Sequence, residues 1–144
     1  MKAKNPEYRK LIETVFKKAA FVNDIGMTLL DCGPGWCESR ILILPRHLQQ
    51  DGVVHAGVQA TIADHTAGAA ATTMLDRDQF VLTAEFKINF LRMAVGESLI
   101  CHAQVLNSGK MITVVESNVY AVSGAKKTLV SKTTATMSVL TSDK

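Results

Sequence analysis

Two residues in the stretch Gly52–Met74, GVVHAGVQATIADHTAGAAATTM, have the types and the spacing for acyl-transfer chemistry. Asp64 is a lone carboxylate in an apolar run, and an unpaired charge inside a closely packed element is costly unless it has a partner or a task. Gly57 lies seven residues earlier, within about 20° of two full helical turns, so both fall on one helix face. The first N–H groups of a helix lack internal partners and carry partial positive charge. A glycine there lets a ligand oxygen approach closely, and such amides can hold a developing oxyanion. The two residues are about 10 Å apart along the axis, too far to serve one carbonyl within a single chain. Two helices placed antiparallel about a two-fold axis would bring Gly57 of one chain to Asp64 of the other.

The element that must carry them is one central helix, expected over about 57–75 and entered through a glycine turn. Ala56, Gly57, Ala60, Ala63, Ala67, Gly68, Ala69, Ala70 and Ala71 make it a thin cylinder that a sheet can wrap closely. Before it, Pro6 and the helical recurrence of Tyr8, Leu11, Ile12, Val15, Phe16 and Ala19 predict a short amphipathic helix from about 6 to 20. Ile25–Cys32 and Trp36–Leu44 read as strands joined by a Gly33-Pro34-Gly35 turn, with a polar loop from Arg46 to Gly52. After the helix come four strand-like segments, Phe80–Leu91, Glu97–Asn107, Met111–Val122 and Lys127–Leu140. In the first, Leu82, Ala84, Phe86, Ile88 and Phe90 alternate with Thr83, Glu85, Lys87 and Asn89, which predicts an apolar and a polar face. The whole is an α+β chain: one antiparallel sheet of about six strands curled around the central helix, a single domain over 1–144. Open sheet edges make a dimer the default expectation.

Composition narrows the function. The 144 residues carry a net charge of +3 and 6% aromatic residues, which argues against nucleic acid. The three cysteines, Cys32, Cys37 and Cys101, form no CxxC pair, and His47, His55, His65 and His102 form no ligand spacing with them. No disulfide framework, metal or other cofactor is expected, and the odd cysteine count points to a reducing compartment. No apolar run is long enough to span a membrane and no signal-peptide core is present, so a cytoplasmic protein is expected. His65 points about 100° away from Asp64 and reads as an interface or solvated residue.

The stretch from Gln49 to Asp64 resembles the motif of the hotdog-fold acyl-CoA thioesterases of the phenylacetate-pathway (PaaI-like) type. That motif reads Asn-x-x-Gly-x-x-His-Gly-Gly, with a catalytic Asp or Glu seven residues after the second glycine. Gly52, His55, Gly57 and Asp64 match it; Gln49 stands at the Asn position and Ala56 at the first glycine. The element order is also similar to a hotdog over nearly the whole chain. The resemblance implies hydrolysis of a thioester to free acid and CoA at a site shared by two subunits of a homodimer or dimer-of-dimers tetramer. In it, the Gly57 N–H with Gln49 polarises the carbonyl, and Asp64 of the partner chain serves as general base or nucleophile. Thr83 keeps the hydroxyl that some members use to hold the water, and His55 braces the loop. CoA belongs to the substrate, and Arg46, Arg92, Lys110, Lys126 and Lys127 are available to its phosphates. Two other readings stand beside this one: a hotdog protein that binds acyl-CoA without cleaving it, and an enoyl-thioester hydratase or dehydratase. Acyl identity, and CoA against acyl-carrier protein, stay open.

Overall fold

The computed structural model describes residues 1–143. Helices α1 (Tyr8–Lys18) and α2 (Ala20–Asp24) precede strands β1 (Met27–Gly33) and β2 (Trp36–Leu42). A 3-10 turn at Pro45–His47 leads to the central helix α3 (Ala56–Thr72). Strands β3 (Gln79–Phe90), β4 (Ser98–Ser108), β5 (Ile112–Ser123) and β6 (Lys126–Thr141) follow. The expected first helix is thus split in two after Lys18, and α3 starts one residue earlier and ends three earlier than its periodicity suggested.

All six strands form one antiparallel sheet in the order β1-β2-β4-β5-β6-β3. The β1–β2 connection is the two-residue turn Pro34-Gly35, with Gly35 at φ +83°. Proline followed by a positive-φ glycine is the signature of a type II turn. The Gly35 N–H donates to Thr73 Oγ1 at 2.8 Å, which ties the hairpin tip to the end of α3.

The sheet closes around α3 because both surfaces are made of small groups. Ala63, Ala67, Ala70 and Ala71 are fully buried on the helix, against Cys101, Ala103, Val115, Val119 and Ala135 on the sheet. Such a short separation also brings polar groups together, and two of the sheet's buried hydroxyls pair with groups on the helix or with its backbone. The Ser117 hydroxyl donates to the Ala63 carbonyl at 2.8 Å. Thr66 Oγ1 donates to the Ile62 carbonyl at 2.6 Å, so the 2.6 Å contact between Ser39 and Thr66 has Ser39 as donor.

One strand departs from its sequence pattern. In β3, Thr83 pairs with Met137 but Glu85 pairs with Thr136, leaving Ala84 as an extra residue. This is a β-bulge, and it reverses the alternation at that point. Residues directly opposite in an antiparallel pair share a face. Val81 and Thr83 therefore face the helix with Val139 and Met137, and Phe86 faces it with Ala135. The single apolar face expected through Leu82, Ala84 and Phe86 does not exist, and Thr83 is on the helix side rather than with Glu85 and Lys87. β3 is also a sheet edge: it is bonded to β6 alone.

The Ser39–Thr66 pair is fully buried, and Thr66→Val would leave the Ser39 hydroxyl without its acceptor. The expected loss is about 1–3 kcal/mol of unfolding free energy, measured by urea titration. Wild-type stability in the variant would show that this pair does not hold the helix to the sheet.

Candidate active site

The loop that delivers the chain to α3 is fixed from inside. His47 is 1% exposed. Its Nδ1 accepts from the Leu44 N–H at 2.9 Å, and its Nε2 donates to the Ile25 carbonyl at 2.7 Å. Its carbonyl in turn accepts the His55 N–H at 2.8 Å. Gly52, at φ +80°, makes the tight turn before the helix, closed by Gln49 N–H to Val53 O at 2.9 Å. A side-chain-bearing residue would rarely adopt that backbone conformation.

His55 is the N-cap of α3, and its Nδ1 accepts the Gly57 N–H at 2.8 Å. Capping by a side-chain acceptor satisfies one of the free donors at a helix start. The amide that the sequence singles out is therefore already engaged within the chain. The Ala56 N–H, first in the helix, has no helical carbonyl behind it. Gln49 Oε1 accepts the N–H of Asp51. Gln49, His55, Ala56 and Arg92 line a cleft of about 550 Å³ between this loop and the segment 90–94.

The cleft contains a residue that the sequence did not single out. Gln59 is 4% exposed, and its Nε2 donates to the Val54 carbonyl at 3.5 Å. Its Oε1 has no hydrogen-bond partner among the described residues. A buried carboxamide oxygen in this state is an acceptor available to whatever enters the cleft. Its only sequence signal is a polar residue at a position where the helix is otherwise apolar.

Asp64 is not in this cleft. It lies two turns along α3, half-buried, where its Oδ1 accepts a hydrogen bond from Thr83 Oγ1 at 2.7 Å. The β3 bulge makes this contact: it turns Thr83 to the helix. The structure therefore joins Asp64 with Thr83, and Gln49 with His55 and the helix start, as two separate groups. Asp64 and Thr83 line a second hollow, of about 300 Å³, between α1, α3 and β3.

His65 also borders that hollow, and it is packed rather than solvated or at an exposed seam. Its ring meets Phe16 of α1 edge-on, with centroids 4.8 Å apart. Burial pushes its pKa below 6.5, an effect that the nearby Asp64 carboxylate partly opposes. The three cysteines are unpaired and buried. Desolvation raises all three thiols, Cys101 to about 12. None is a thiolate nucleophile at neutral pH. Among the described residues no group of His, Cys, Asp and Glu could hold a metal ion, and no helix is long and apolar enough to cross a membrane.

A helix wrapped by one antiparallel sheet, with a carboxylate at its middle and a capped N-terminus beside a cleft, defines a hotdog-fold protein. Residues 51–128 match the family model described as the thioesterase superfamily, and the chain belongs to that family. A thioesterase family protein from Silicibacter pomeroyi superposes with a TM-score of 0.91 at 30% identity, over 93% of this chain and 98% of that one. A Haemophilus influenzae thioesterase shares the fold at 21% identity, with a TM-score of 0.87 over 100% of this chain and 98% of its own. A Bacillus halodurans protein solved with CoA aligns at 29% identity and a TM-score of 0.66, over 72% of this chain and 66% of that one.

The lowered pKa of His65 has a consequence for stability. Below 6.5 the unfolded chain binds the proton more readily than the folded one, so stability is full above that pH and falls as the pH drops beneath it. His65→Gln removes this contribution. Chemical denaturation at pH 7.5 and pH 5 is expected to show a smaller loss in the variant than in the wild type; equal losses would mean that His65 protonates as easily folded as unfolded.

Proposed function

We propose that the protein is an acyl-CoA thioesterase of the PaaI-like type, hydrolysing a thioester to free acid and CoA. The observation that carries this reading is the 2.7 Å hydrogen bond from Thr83 to Asp64. It leaves one carboxylate oxygen free beside a hydroxyl that can hold water, on the face of the helix that starts at the cleft. CoA as the leaving group is supported by the CoA held by the Bacillus halodurans neighbour. A cytoplasmic setting agrees with three unpaired thiols.

The working unit in this reading is a homodimer, or a tetramer of two such dimers. Its support is the β3 edge, which bonds to β6 on one side and exposes Phe80, Leu82, Phe86 and Phe90. A long apolar edge strand is an invitation to pairing. Two-fold pairing there sets the helix start of one subunit against Asp64 of the other, which closes the gap of about 10 Å within one chain.

The thioester carbonyl oxygen lies at the N-terminus of α3, taking the Gly57 N–H in exchange for His55 Nδ1, with the Gln49 carboxamide beside it. These donors stabilise negative charge as it develops on that oxygen. Asp64 of the partner subunit takes a proton from water as the water oxygen bonds to the carbonyl carbon. Thr83 donates to the carboxylate and holds the water through its own lone pairs. The tetrahedral adduct then collapses, the C–S bond breaks, and the sulfur leaves as CoA thiol with that proton. Direct attack by Asp64, giving an anhydride that water cleaves, uses the same groups. Arg92, at the cleft, is the basic residue nearest to hand for a CoA phosphate.

Free-thiol release from acyl-CoAs tests the reading. Asp64→Asn is expected to lose at least a hundredfold in rate while melting like the wild type, and Thr83→Val to lose about tenfold. Sharing between chains has its own test. Mixing Asp64→Asn with an inactive His55→Ala, Gln49→Ala double variant is expected to restore activity, because a mixed dimer holds one intact site. A folded Asp64→Asn with wild-type turnover would rule out carboxylate catalysis.

A further inference from the structure

The hollow next to Asp64 has a size, a direction and one residue that packing does not explain. That residue is Gly68, one turn beyond Asp64 and in the same lining. A glycine inside a helix is destabilising relative to alanine. Here a Cβ would meet nothing within 4 Å, so neither a close approach nor a positive φ requires glycine. What its missing side chain leaves is open space in the hollow.

Two independent rulers measure that space. Along α3, the lining runs from Asp64 to Thr72, eight residues or about 12 Å. Along β3, it runs from Thr83 to Gln79, four residues or about 13 Å. The Asp64–Thr83 hydrogen bond thus marks one end of a slot, and Thr72 and Gln79 mark the other. Between them the walls are apolar: Leu11 and Val15 from α1, Ala69 from α3, Val81 from β3 and Met137 from β6. Its volume of about 300 Å³ is at the lower limit of the roughly 300–1,000 Å³ common for ligand pockets. Among the described residues Asp64 and His65 are the only ionisable ones in the lining, and burial favours the neutral form of His65. The side is closed by α1, which is anchored in the core through Ile12 and Phe16 and against His65 through the Phe16 ring.

We propose that this slot takes the acyl group of the substrate as an extended aliphatic chain, and that Gly68 sets which chain lengths fit. The inference rests on the thioesterase reading for what enters. A zigzag chain advances roughly 1.2 Å per bond, about a third of the 3.3–3.6 Å spanned by the three backbone bonds of an extended residue. About ten bonds therefore fill the slot. The substrate class is short to medium acyl thioesters up to about ten carbons, with no charge on the chain; long fatty acyl groups exceed it.

The test is binding of two uncleavable thioethers, propyl-CoA and octyl-CoA, measured by calorimetry on wild type, Gly68→Ala and Gly68→Leu. Wild type is expected to prefer octyl-CoA by at least tenfold, since the longer chain buries more apolar surface. Gly68→Leu places a side chain across the slot and is expected to reduce that preference at least tenfold. Gly68→Ala, whose methyl group meets no atom, is expected to melt no lower than wild type and to reduce the preference at least twofold. It keeps the test decisive if the leucine variant fails to fold. Equal wild-type affinity for the two thioethers, or an unchanged preference in a folded variant, overturns the proposal. Thiol release from octanoyl-CoA, run in parallel, separates the two readings. No release with the chain-length preference intact defeats the hydrolase reading and supports the slot. Release that is indifferent to chain length and to Gly68 defeats the slot alone.

Discussion

The close approach of α3 to the inner face of the sheet is the constraint on which this structure depends. Ala63, Ala67, Ala70 and Ala71 are fully buried, and the strands meet them with alanine, cysteine, valine, serine and threonine. Interiors are packed at near-crystalline density, so a helix this thin can be enclosed only by a sheet that curls around it. While Thr113, Ser131 and Thr133 stay buried without a partner among the described residues, the same closeness lets other hydroxyls on the sheet find partners on the helix. Ser39 and Ser117 do so, at Thr66 and at the Ala63 carbonyl. The polar pairs position the helix in a way that methyl contacts, being non-directional, could not.

Enclosure by a single sheet also divides the chemistry. A helix has one N-terminus and a fixed rise, so a carboxylate at its middle stays about 10 Å from the donors at its start. The chain organises each half separately: His47, Gly52 and His55 fix the entrance, while the β3 bulge presents Thr83 to Asp64. A second copy, paired along the open β3 edge, is the arrangement that the proposed function uses to join the halves. In that proposal the edge strand and the divided site are two aspects of one geometry.

Around Asp64 the surroundings are apolar but not closed. The carboxylate remains half-exposed beside its Thr83 donor, whereas His65, one position on, is pressed against Phe16. Adjacent residues on a helix differ by about 100° in direction, enough to put one in a hollow and the next in a packed seam. That difference explains why one side chain keeps contact with solvent while the other is packed and held neutral.

Much of this was determined by the sequence alone. Apolar alternation, turn glycines and a run of small residues identified the six strands, their antiparallel arrangement and the central helix, because these periodicities follow from local backbone geometry. The spacing from Gln49 to Asp64 brought out the family, and the lone carboxylate marked the middle of the helix. Tertiary structure decided the rest. Alternation cannot register a bulge, since the extra residue, Ala84, matches the apolar pattern that it breaks; only pairing with β6 shows that Thr83 turns inward. Capping of Gly57 by His55 depends on a loop held by the buried His47, which involves residues as distant as Ile25. The orphaned oxygen of Gln59 and the empty space beside Gly68 are likewise properties of what surrounds them. A sequence states what each side chain is able to do, but which neighbours remain to satisfy or crowd it is fixed only when distant segments pack.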